Sequence, residues 1–345
     1  MNRLGRCIVR MVLAGTVALV VLGGRGHLSH AQTSRALLVG IDTYVPDASA
    51  QAASAQGRTA RQWTNLQGAV HDVTVMETLL TARFGFSPSH IHTRTEADAT
   101  REGILSAIQT HLIDASRPGD TAVFYYAGHG SQVVNQGSAE RDRLDETLVP
   151  ADAATGVQDI RDKELRPLFN ALLEKGVTLT LIFDSCHSGS VTRGVTPRRT
   201  RAVAPRPQPI NDPGEMPPPP QEHPAALVFS AAQENQKAHE ITDEQGIPRG
   251  AFSWALSTVL SRADADLPAR FVLERVRALL ASHSIPQEPV LEGSAERRNR
   301  GIFGGASADS SEALPLAVPV LEVTDTGEVV TSAGHALSVR PGTQL

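Results

Sequence analysis

Short apolar runs alternate with amphipathic helical segments along most of this chain. Strands that alternate with helices predict βαβ crossovers. Such crossovers build a mostly parallel sheet covered by helices on both faces, so we predict a fold of the α/β class. The predicted strands are Arg35–Ile41, His90–Arg94, Thr121–Gly128, Thr178–Phe183, Ala225–Ala231 and Glu288–Gly293.

Polar clusters follow two of the predicted strands. The sequence YYAGHGS ends the strand that begins at Thr121, and DSCHSG ends the strand that begins at Thr178. Sites in parallel sheets form at the carboxyl ends of the strands. If the two strands are neighbours, His129 lies close to Cys186, which follows it by 57 positions.

The two clusters contain the groups that a cysteine nucleophile requires. Such a nucleophile needs a base nearby and hydrogen-bond donors for the oxyanion of the tetrahedral intermediate. His129 can be the base, and the backbone N–H groups of Gly130 and Cys186 are the natural donors. Gly128 and Gly130 would let the backbone approach a substrate closely. Two alternatives stay open: a cysteine that is only a small buried side chain, and a histidine that is only a polar surface residue.

Three other histidines have simpler interpretations. His187, next to Cys186, would point away from the site in an extended turn, so we predict a structural role. His90 and His92 share one face of a short strand, an arrangement that is typical of two metal ligands. The sequence suggests no third ligand, so we expect solvent-facing side chains there.

The first 31 residues have the layout of a secretory signal peptide. Three arginines precede an uncharged apolar run, Met11–Gly24, and small residues precede a cut after Ala31. We therefore predict an exported protein, periplasmic or secreted. An uncleaved membrane anchor is the alternative, although the run is short for a spanning helix. Cleavage would remove Cys7 and leave Cys186 alone, with no disulfide partner in the mature chain.

Composition argues against two classes of partner. The formal net charge is −5 and aromatic residues make up 4% of the chain. Neither value favours nucleic acid or an anionic membrane surface. We expect protein or peptide partners and no membrane contact after signal removal.

Two regions interrupt the alternating pattern. Residues 195–224 are rich in proline and carry Arg198, Arg199 and Arg201. This composition predicts a mobile loop or linker without a contribution to the core. After Gly305 the chain becomes irregular, with possible strands at Leu321–Thr324 and Glu328–Thr331.

The motifs GAVHDV, FYYAGHGS, DETLVPAD and LIFDSCHSG, in this order, resemble the metacaspases, a branch of the caspase-like cysteine proteases. The resemblance covers roughly residues 35–304 and suggests a bacterial-type member with a secretory signal. It implies a three-layer sandwich with a six-stranded, mostly parallel sheet. It also implies a large-subunit portion (35–194), a processing loop (195–224) and a small-subunit portion (225–304), which leaves 305–345 as a tail of unknown structure. Cys186 then matches the nucleophile and His129 the general acid/base.

The same resemblance implies a cation-selective pocket. In metacaspases, acids at the positions of Asp72 and Asp184 line the pocket for the residue before the cut. Two carboxylates favour a cation, and a guanidinium fits them bidentately, so cleavage after Arg or Lys is expected. The alternative for Asp72 is an acid that only stabilises the first turn of a helix.

This chain departs from the family pattern at several positions. Ala127 stands where many relatives carry a serine in the pocket. Calcium-dependent relatives use several aspartates, of which Asp145 and Asp162 could match two. Lys163 and Arg193 stand where further acids are expected, and Ca²⁺ requires six to eight oxygen ligands. We therefore expect weak calcium binding or none, and no other cofactor.

The sequence as a whole predicts a cysteine endopeptidase that cleaves after Arg or Lys. The processing loop offers Arg198, Arg199 and Arg201 as sites of self-cleavage; a linker that only other proteases cut is the alternative. Two other functions stay open. One is a non-catalytic binding module with a caspase-like fold, and the other is a peptidase with a preference for Asp.

Overall fold

A computed structural model describes residues 32–44, 64–138, 142–186, 199–212, 219–233, 236–305, 320–323 and 329–331. The predicted signal segment, Arg193, Arg198, His187 and most of the tail after residue 305 lie outside these ranges. The strands are β1 Ser34–Gly40, β2 Ile91–Thr95, β3 Thr121–Ala127, β4 Gly130–Asn135, β5 Leu144–Leu148, β6 Ile160–Arg161, β7 Thr178–Asp184, β8 Arg206–Ile210, β9 Ala226–Ser230, β10 Glu240–Thr242, β11 Pro248–Gly250, β12 Val290–Gly293, β13 Val320–Val323 and β14 Val329–Thr331. The α-helices are α1 Ala69–Phe84, α2 Arg101–Ala107, α3 Asp162–Glu174, α4 Ala251–Arg262, α5 Ala269–Ser282 and α6 Ala295–Arg298.

The main sheet has six strands in the order β12-β9-β7-β3-β1-β2. All neighbouring pairs are parallel except β12 and β9, which are antiparallel. The predicted α/β class and the six-stranded, mostly parallel sheet are confirmed. The four long apolar runs form the four inner strands, because such strands are covered on both faces and read as continuous apolar sequence.

Helices cover both faces of the main sheet, and each face has its own core. Successive side chains of a strand point to opposite faces. Leu38 therefore packs in the core that contains residues of α1, α4 and α5. Leu37 and Val39 pack in the other core, with residues of α2 and α3. The resulting three layers fix the carboxyl ends of the inner strands at one edge.

Local signals in the sequence explain where two helices begin or end. The Thr100 side chain accepts a hydrogen bond from the Gly103 N–H at 3.0 Å and so caps the first turn of α2. A π-helical stretch, Ile108–Asp114, continues this helix. Gly85 ends α1 with a left-handed backbone, at a φ of 69°. Short 3₁₀ turns connect other elements at Pro88–His90, Glu96–Asp98, Ala151–Thr155 and Pro220–Glu222.

A second sheet, in the order β6-β5-β4-β8, lies beyond the carboxyl edge of β3. None of the strands predicted from the sequence corresponds to β4 or β5, so this second sheet was not predicted. Two of the buried positions of β5 are Asp145 and Thr147, which are polar. The alternation of apolar and polar residues that marks a half-buried strand is therefore missing from the sequence.

The prediction that residues 195–224 contribute nothing to the core was wrong for the described part of that region. Arg201 is fully buried and Val203 is 3% exposed. Residues 206–210 form β8 and pair with β4. Composition favours a linker there, but a buried ion-pair cluster around Arg201 replaces the apolar contacts that a linker lacks.

Strands β13 and β14 match two short strands that the sequence predicts. Near the end of the chain, β13 and β14 form an antiparallel pair close to the predicted positions. Between β9 and α4, β10 and β11 form a second antiparallel pair. No helix within the described ranges is long and apolar enough to cross a membrane.

Candidate active site

The register of the main sheet brings the two polar clusters together. Strands β3 and β7 are parallel neighbours, and Ala127 at the end of β3 is paired with Asp184 at the end of β7. His129 and Cys186 each follow their paired residue by two positions. Both side chains are fully buried. The sequence prediction that these residues share one edge of the sheet is consistent with this placement.

The thiol of Cys186 is held by the backbone of Ala238, in the segment before β10. The Ala238 N–H lies 2.8 Å from Sγ, and its carbonyl oxygen lies 3.5 Å from Sγ. Burial raises the pKa of the Cys186 thiol to about 12, although the Ala238 backbone lowers it in part. The thiol is therefore protonated in this arrangement, and a base would have to take its proton before or during attack.

His129 is held by three groups that surround its ring and backbone. Its Nε2 lies 2.7 Å from the Thr64 carbonyl oxygen, which can only accept, so Nε2 carries the hydrogen. In the neutral ring, Nδ1 is then the basic nitrogen. The His129 N–H donates to the Tyr44 hydroxyl at 2.9 Å, and the Tyr126 hydroxyl donates to the His129 carbonyl at 2.8 Å. These contacts fix the tautomer and the orientation of the ring.

Two backbone N–H groups converge on one carbonyl oxygen. The N–H of Gly130 and the N–H of Cys186 donate to the carbonyl of Arg201 at 3.0 and 3.1 Å. These are the two donors that the sequence suggested for an oxyanion. A side chain at Gly130 would collide with the carbonyl oxygen of Cys186, so only glycine fits there. The geometry polarises the Arg201 carbonyl beside the buried thiol.

The Arg201 side chain enters a buried pocket lined by three carboxylates. Nη1 lies 3.0 Å from Oδ2 of Asp184, and Nη2 lies 2.8 Å from Oδ2 of Asp72. Nη2 also lies 3.3 Å from Oε1 of Glu240. Burial lowers the pKa of Arg201, but the three carboxylates outweigh it and raise that pKa above its usual value. The pocket therefore holds a charged guanidinium.

A second group of contacts holds the pocket acids in place. Arg249 donates to Asp72 at 2.6 Å, and the N–H of Gly250 donates to the same carboxylate at 2.8 Å. Ser253 donates to Asp184 from both its N–H, at 3.1 Å, and its hydroxyl, at 2.5 Å. Burial raises the pKa of Asp72 to about 6, against the opposing charge of Arg201. Helix α4 thus begins directly against the pocket.

The chain on either side of Arg201 lies extended across the site. The Arg201 N–H donates to the Ala238 carbonyl at 2.9 Å, and the Glu240 N–H donates to the Arg199 carbonyl at 2.9 Å. On the other side, the Val203 N–H donates to the Gly130 carbonyl at 3.1 Å. An extended chain bound through its backbone on both sides of one residue is the arrangement of a peptide in a binding cleft.

The three candidate cleavage sites are distinguished by position. Arg201 presents its carbonyl to the two N–H groups and its side chain to the pocket. The carbonyl of Arg199 is instead bonded to Glu240, and its side chain donates to the Asn65 carbonyl at 2.7 Å. Arg198 lies outside the described residues.

Sequence reasoning missed three residues that complete the site. Glu240 supplies the third carboxylate, and Tyr44 and Tyr126 fix His129. Glu240 follows an irregular segment and has no motif of its own, so only the fold brings it to the pocket. Tyr126 lies two residues before Gly128 in the sequence YYAGHG. The hydroxyl of a buried tyrosine usually has a hydrogen-bond partner, and this could have suggested one for Tyr126.

The two calcium candidates do not form an ion site. Lys163 forms an ion pair with one oxygen of Asp145, and Arg161 lies 3.2 Å from the other. Asp162 pairs instead with Arg166 at 2.6 Å. Among the described residues, no group of three or more His, Cys, Asp or Glu side chains could hold a metal ion. Asp145 already pairs with the two positive charges of Lys163 and Arg161, so a divalent cation does not fit there.

His92 does not lie in a metal-binding group either. Its ring is stacked 4.7 Å from the ring of His111, and His111 contacts the carbonyl of His90 at 3.2 Å. Burial, with neighbouring positive charge, lowers the pKa of His92 and of His111. Ala127, the departure from the serine of many relatives, is fully buried at the end of β3.

Comparison with known proteins agrees with this fold. The crystal structure of protein GSU0716 from Geobacter sulfurreducens superposes with a TM-score of 0.55 at 21% identity, over 79% of this chain and 97% of that one, which shows a shared fold. Residues 34–193 match the family described as "Metacaspase, peptidase C14 domain".

Curated relatives carry the same family name. Metacaspase-1 of Ajellomyces capsulatus is 37% identical over 131 residues, 36% of this chain and 36% of that protein. Metacaspase-2 of Arabidopsis thaliana is 38% identical over 133 residues, 36% of this chain and 31% of that protein. Metacaspase-1 of Kluyveromyces lactis is 28% identical over 276 residues, 67% of this chain and 63% of that protein. The matched part of the chain thus spans between 31% and 63% of the length of these relatives.

Proposed function

We propose that this protein is a cysteine endopeptidase that cleaves peptide bonds after Arg, and less efficiently after Lys. One observation carries the proposal: Arg201 presents its carbonyl to two N–H donors beside Cys186 while its guanidinium is paired with Asp72, Asp184 and Glu240. This is the position that a substrate residue before a cut would take.

The reaction follows from the groups around that carbonyl. Cys186 attacks the carbonyl carbon after its proton passes to His129, and the N–H groups of Gly130 and Cys186 stabilise the oxyanion. His129 then protonates the leaving nitrogen as the C–N bond breaks. Water attacks the resulting thioester, and its proton passes through His129 to the thiolate.

The pocket favours Arg over Lys and excludes Asp. The two terminal nitrogens of the guanidinium reach Asp184 on one side and Asp72 with Glu240 on the other. The single nitrogen of lysine cannot occupy both positions at once. An Asp side chain would add a negative charge among three carboxylates, of which Arg249 neutralises only part.

We further propose that the chain cuts itself between Arg201 and Ala202. Because Arg201 fills the pocket and Cys186 is fully buried, the uncut chain is closed to other substrates. The predicted large portion, 35–194, and the predicted small portion, 225–304, would then lie on either side of the cut.

The two alternative functions would require a different site. A non-catalytic binding module would need neither the thiol nor the two N–H donors beside a carbonyl. An Asp-specific peptidase would need a cation in the pocket that is free to meet substrate, whereas Arg249 is bonded to Asp72.

A panel of fluorogenic peptides that differ only in Arg, Lys or Asp before the cut tests the function. We expect turnover of the Arg peptide, slower turnover of the Lys peptide and none of the Asp peptide, with all activity lost in Cys186→Ala. Turnover that survives in Cys186→Ala, or a preference for Asp, would refute the proposal.

The predicted export of the protein is a separate proposal that rests on residues 1–31 alone. A reporter fused to these residues should leave the cytoplasm. A reporter that stays inside the cell would contradict it.

A further inference from the structure

The chain immediately after the Arg201–Ala202 bond is held by contacts that do not depend on that bond. Ala202 lies in a parallel bridge with Gly130, and the Val203 N–H donates to the Gly130 carbonyl at 3.1 Å. The Ser131 hydroxyl lies 3.0 and 3.1 Å from the carbonyls of Val203 and Ala204. The first residues past the bond are therefore fixed beside Cys186.

A second set of contacts anchors the chain further downstream. Strand β8 pairs with β4, and Arg206 lies 3.3 Å from Oδ1 of Asp159. Arg161 lies 2.9 Å from Oδ2 of Asp212, and the Asn135 side chain bonds both the N–H and the carbonyl of Asp212, at 3.0 and 3.1 Å. Cutting the Arg201–Ala202 bond removes none of these contacts.

The upstream end is held equally well. The pocket acids pair with the Arg201 guanidinium, and the Ala238 carbonyl accepts the Arg201 N–H. Both new ends would thus stay seated after a cut. We propose that self-cleavage is reversible, so that the enzyme also joins Arg201 to Ala202 again. This inference rests on the proposed self-cleavage.

The joining step uses the same groups in reverse. From the thioester, the Ala202 amine attacks the Arg201 carbonyl carbon, the C–N bond forms and the C–S bond breaks. The amine proton passes through His129 to the Cys186 thiolate. From the fully cut chain, the Arg201 carboxyl group and the thiol first re-form the thioester and release one water. No outside reactant is required.

Proximity decides between joining and hydrolysis. An amine fixed next to the thioester reacts at an effective concentration far above that of a free amine, and it occupies the space that water would need. Intact and cut chains therefore interconvert, and cutting alone does not empty the cleft. Release of the downstream segment makes the cut permanent.

Oxygen-18 reports this cycle directly. Wild-type protein is incubated in water enriched in oxygen-18 and then digested, in ordinary water, with a protease that cuts after glutamate. The peptide Lys175–Glu215 spans the Arg201–Ala202 bond. A chain that was hydrolysed and rejoined carries oxygen-18 in the Arg201 carbonyl of this continuous peptide. We expect the labelled fraction to grow with time, and no label in Cys186→Ala.

The outcomes separate the two proposals. Cut fragments with a labelled Arg201 carboxyl group beside a continuous peptide without label would overturn the reversal and leave self-cleavage standing. No cut fragment and no label at all would refute self-cleavage itself. The double variant Arg206→Ala with Asp212→Ala should lose most of the label in the continuous peptide and accumulate as cut chain. Its thermal unfolding curve shows whether the fold is kept, and the wild-type result decides the question in either case.

Discussion

The backbone nitrogen of Cys186 lies 3.1 Å from the carbonyl oxygen of Arg201. The two residues are 15 positions apart in the sequence, and the fold places the carbonyl of one against the backbone of the other. With the Arg201 guanidinium in the acidic pocket, this contact presents the Arg201 carbonyl as the proposed self-cleavage requires.

Replacement of Arg201 tests the match between this residue and the pocket. Arg201→Gln removes the charge that pairs with three buried carboxylates, a loss of about 3–5 kcal/mol for a buried pair. We expect self-cleavage to fall by more than about a hundredfold. Arg201→Lys keeps the charge and should cut at an intermediate rate. Arg199→Gln is the matched control and should cut at the wild-type rate; equal losses at both positions would contradict the assignment.

Glu240 should set the preference for Arg over Lys. Within the Arg201 guanidinium, the Glu240 carboxylate contacts only Nη2, the nitrogen that also pairs with Asp72. Glu240→Gln therefore weakens the binding of this one terminal nitrogen. We expect kcat/KM to fall about tenfold for the Arg peptide, as for a lost charged hydrogen bond, and less for the Lys peptide.

Glu240 also accepts hydrogen bonds from the N–H groups of Gln67 and Gly68, so it could act only by shaping the loop before α1. In that case both peptides would lose the same factor. Glu244→Gln, at an exposed position in the turn after β10, is the control and should leave the ratio unchanged.

The reactivity of the Cys186 thiol should depend on whether the segment around Arg201 occupies the cleft. Burial raises the pKa of this thiol to about 12, well above that of an ordinary cysteine. Thiolate is the reactive form, so at pH 8 the intact chain should react with iodoacetamide roughly a thousandfold more slowly than an ordinary thiol.

Because raising the pH increases the thiolate fraction up to the pKa, the rate for intact wild type should keep rising beyond pH 10. Arg201→Ala should free the cleft and speed alkylation, with Arg199→Ala as the control. Mass spectrometry separates alkylated intact and cut chains. A rate for the intact chain that levels off near pH 9 would contradict a buried thiol.

Calcium should have no effect on this enzyme, because Lys163 and Arg161 already neutralise Asp145. We expect equal rates of self-cleavage with calcium and with a chelator. Lys163→Ala should lower the free energy of unfolding by about 1–3 kcal/mol, since it takes a charged partner from a buried acid. Arg262→Ala, at an exposed helix end, should change it little. Activation by calcium in the wild type would contradict the account.

The sequence predicts the main sheet because its inner strands are apolar on both faces, and it brings His129 and Cys186 together because both follow such strands. It does not predict the second sheet, whose buried positions include Asp145 and Thr147. The sequence names Arg201 as a cleavage candidate but does not predict its burial or the contribution of Glu240 to the pocket. An arginine in a proline-rich segment is exposed by default, and only the fold supplies the carboxylates that allow its burial.

The position of the cleavage site is the most direct test of the proposed self-cleavage between Arg201 and Ala202. Intact-mass measurement of purified wild type and Cys186→Ala, with sequencing of any new amino terminus, locates it. We expect fragments that end at Arg201 and begin at Ala202 in the wild type, and an uncut chain in Cys186→Ala. A wild-type chain that stays whole, a cut at another bond, or the same fragments from Cys186→Ala would contradict it.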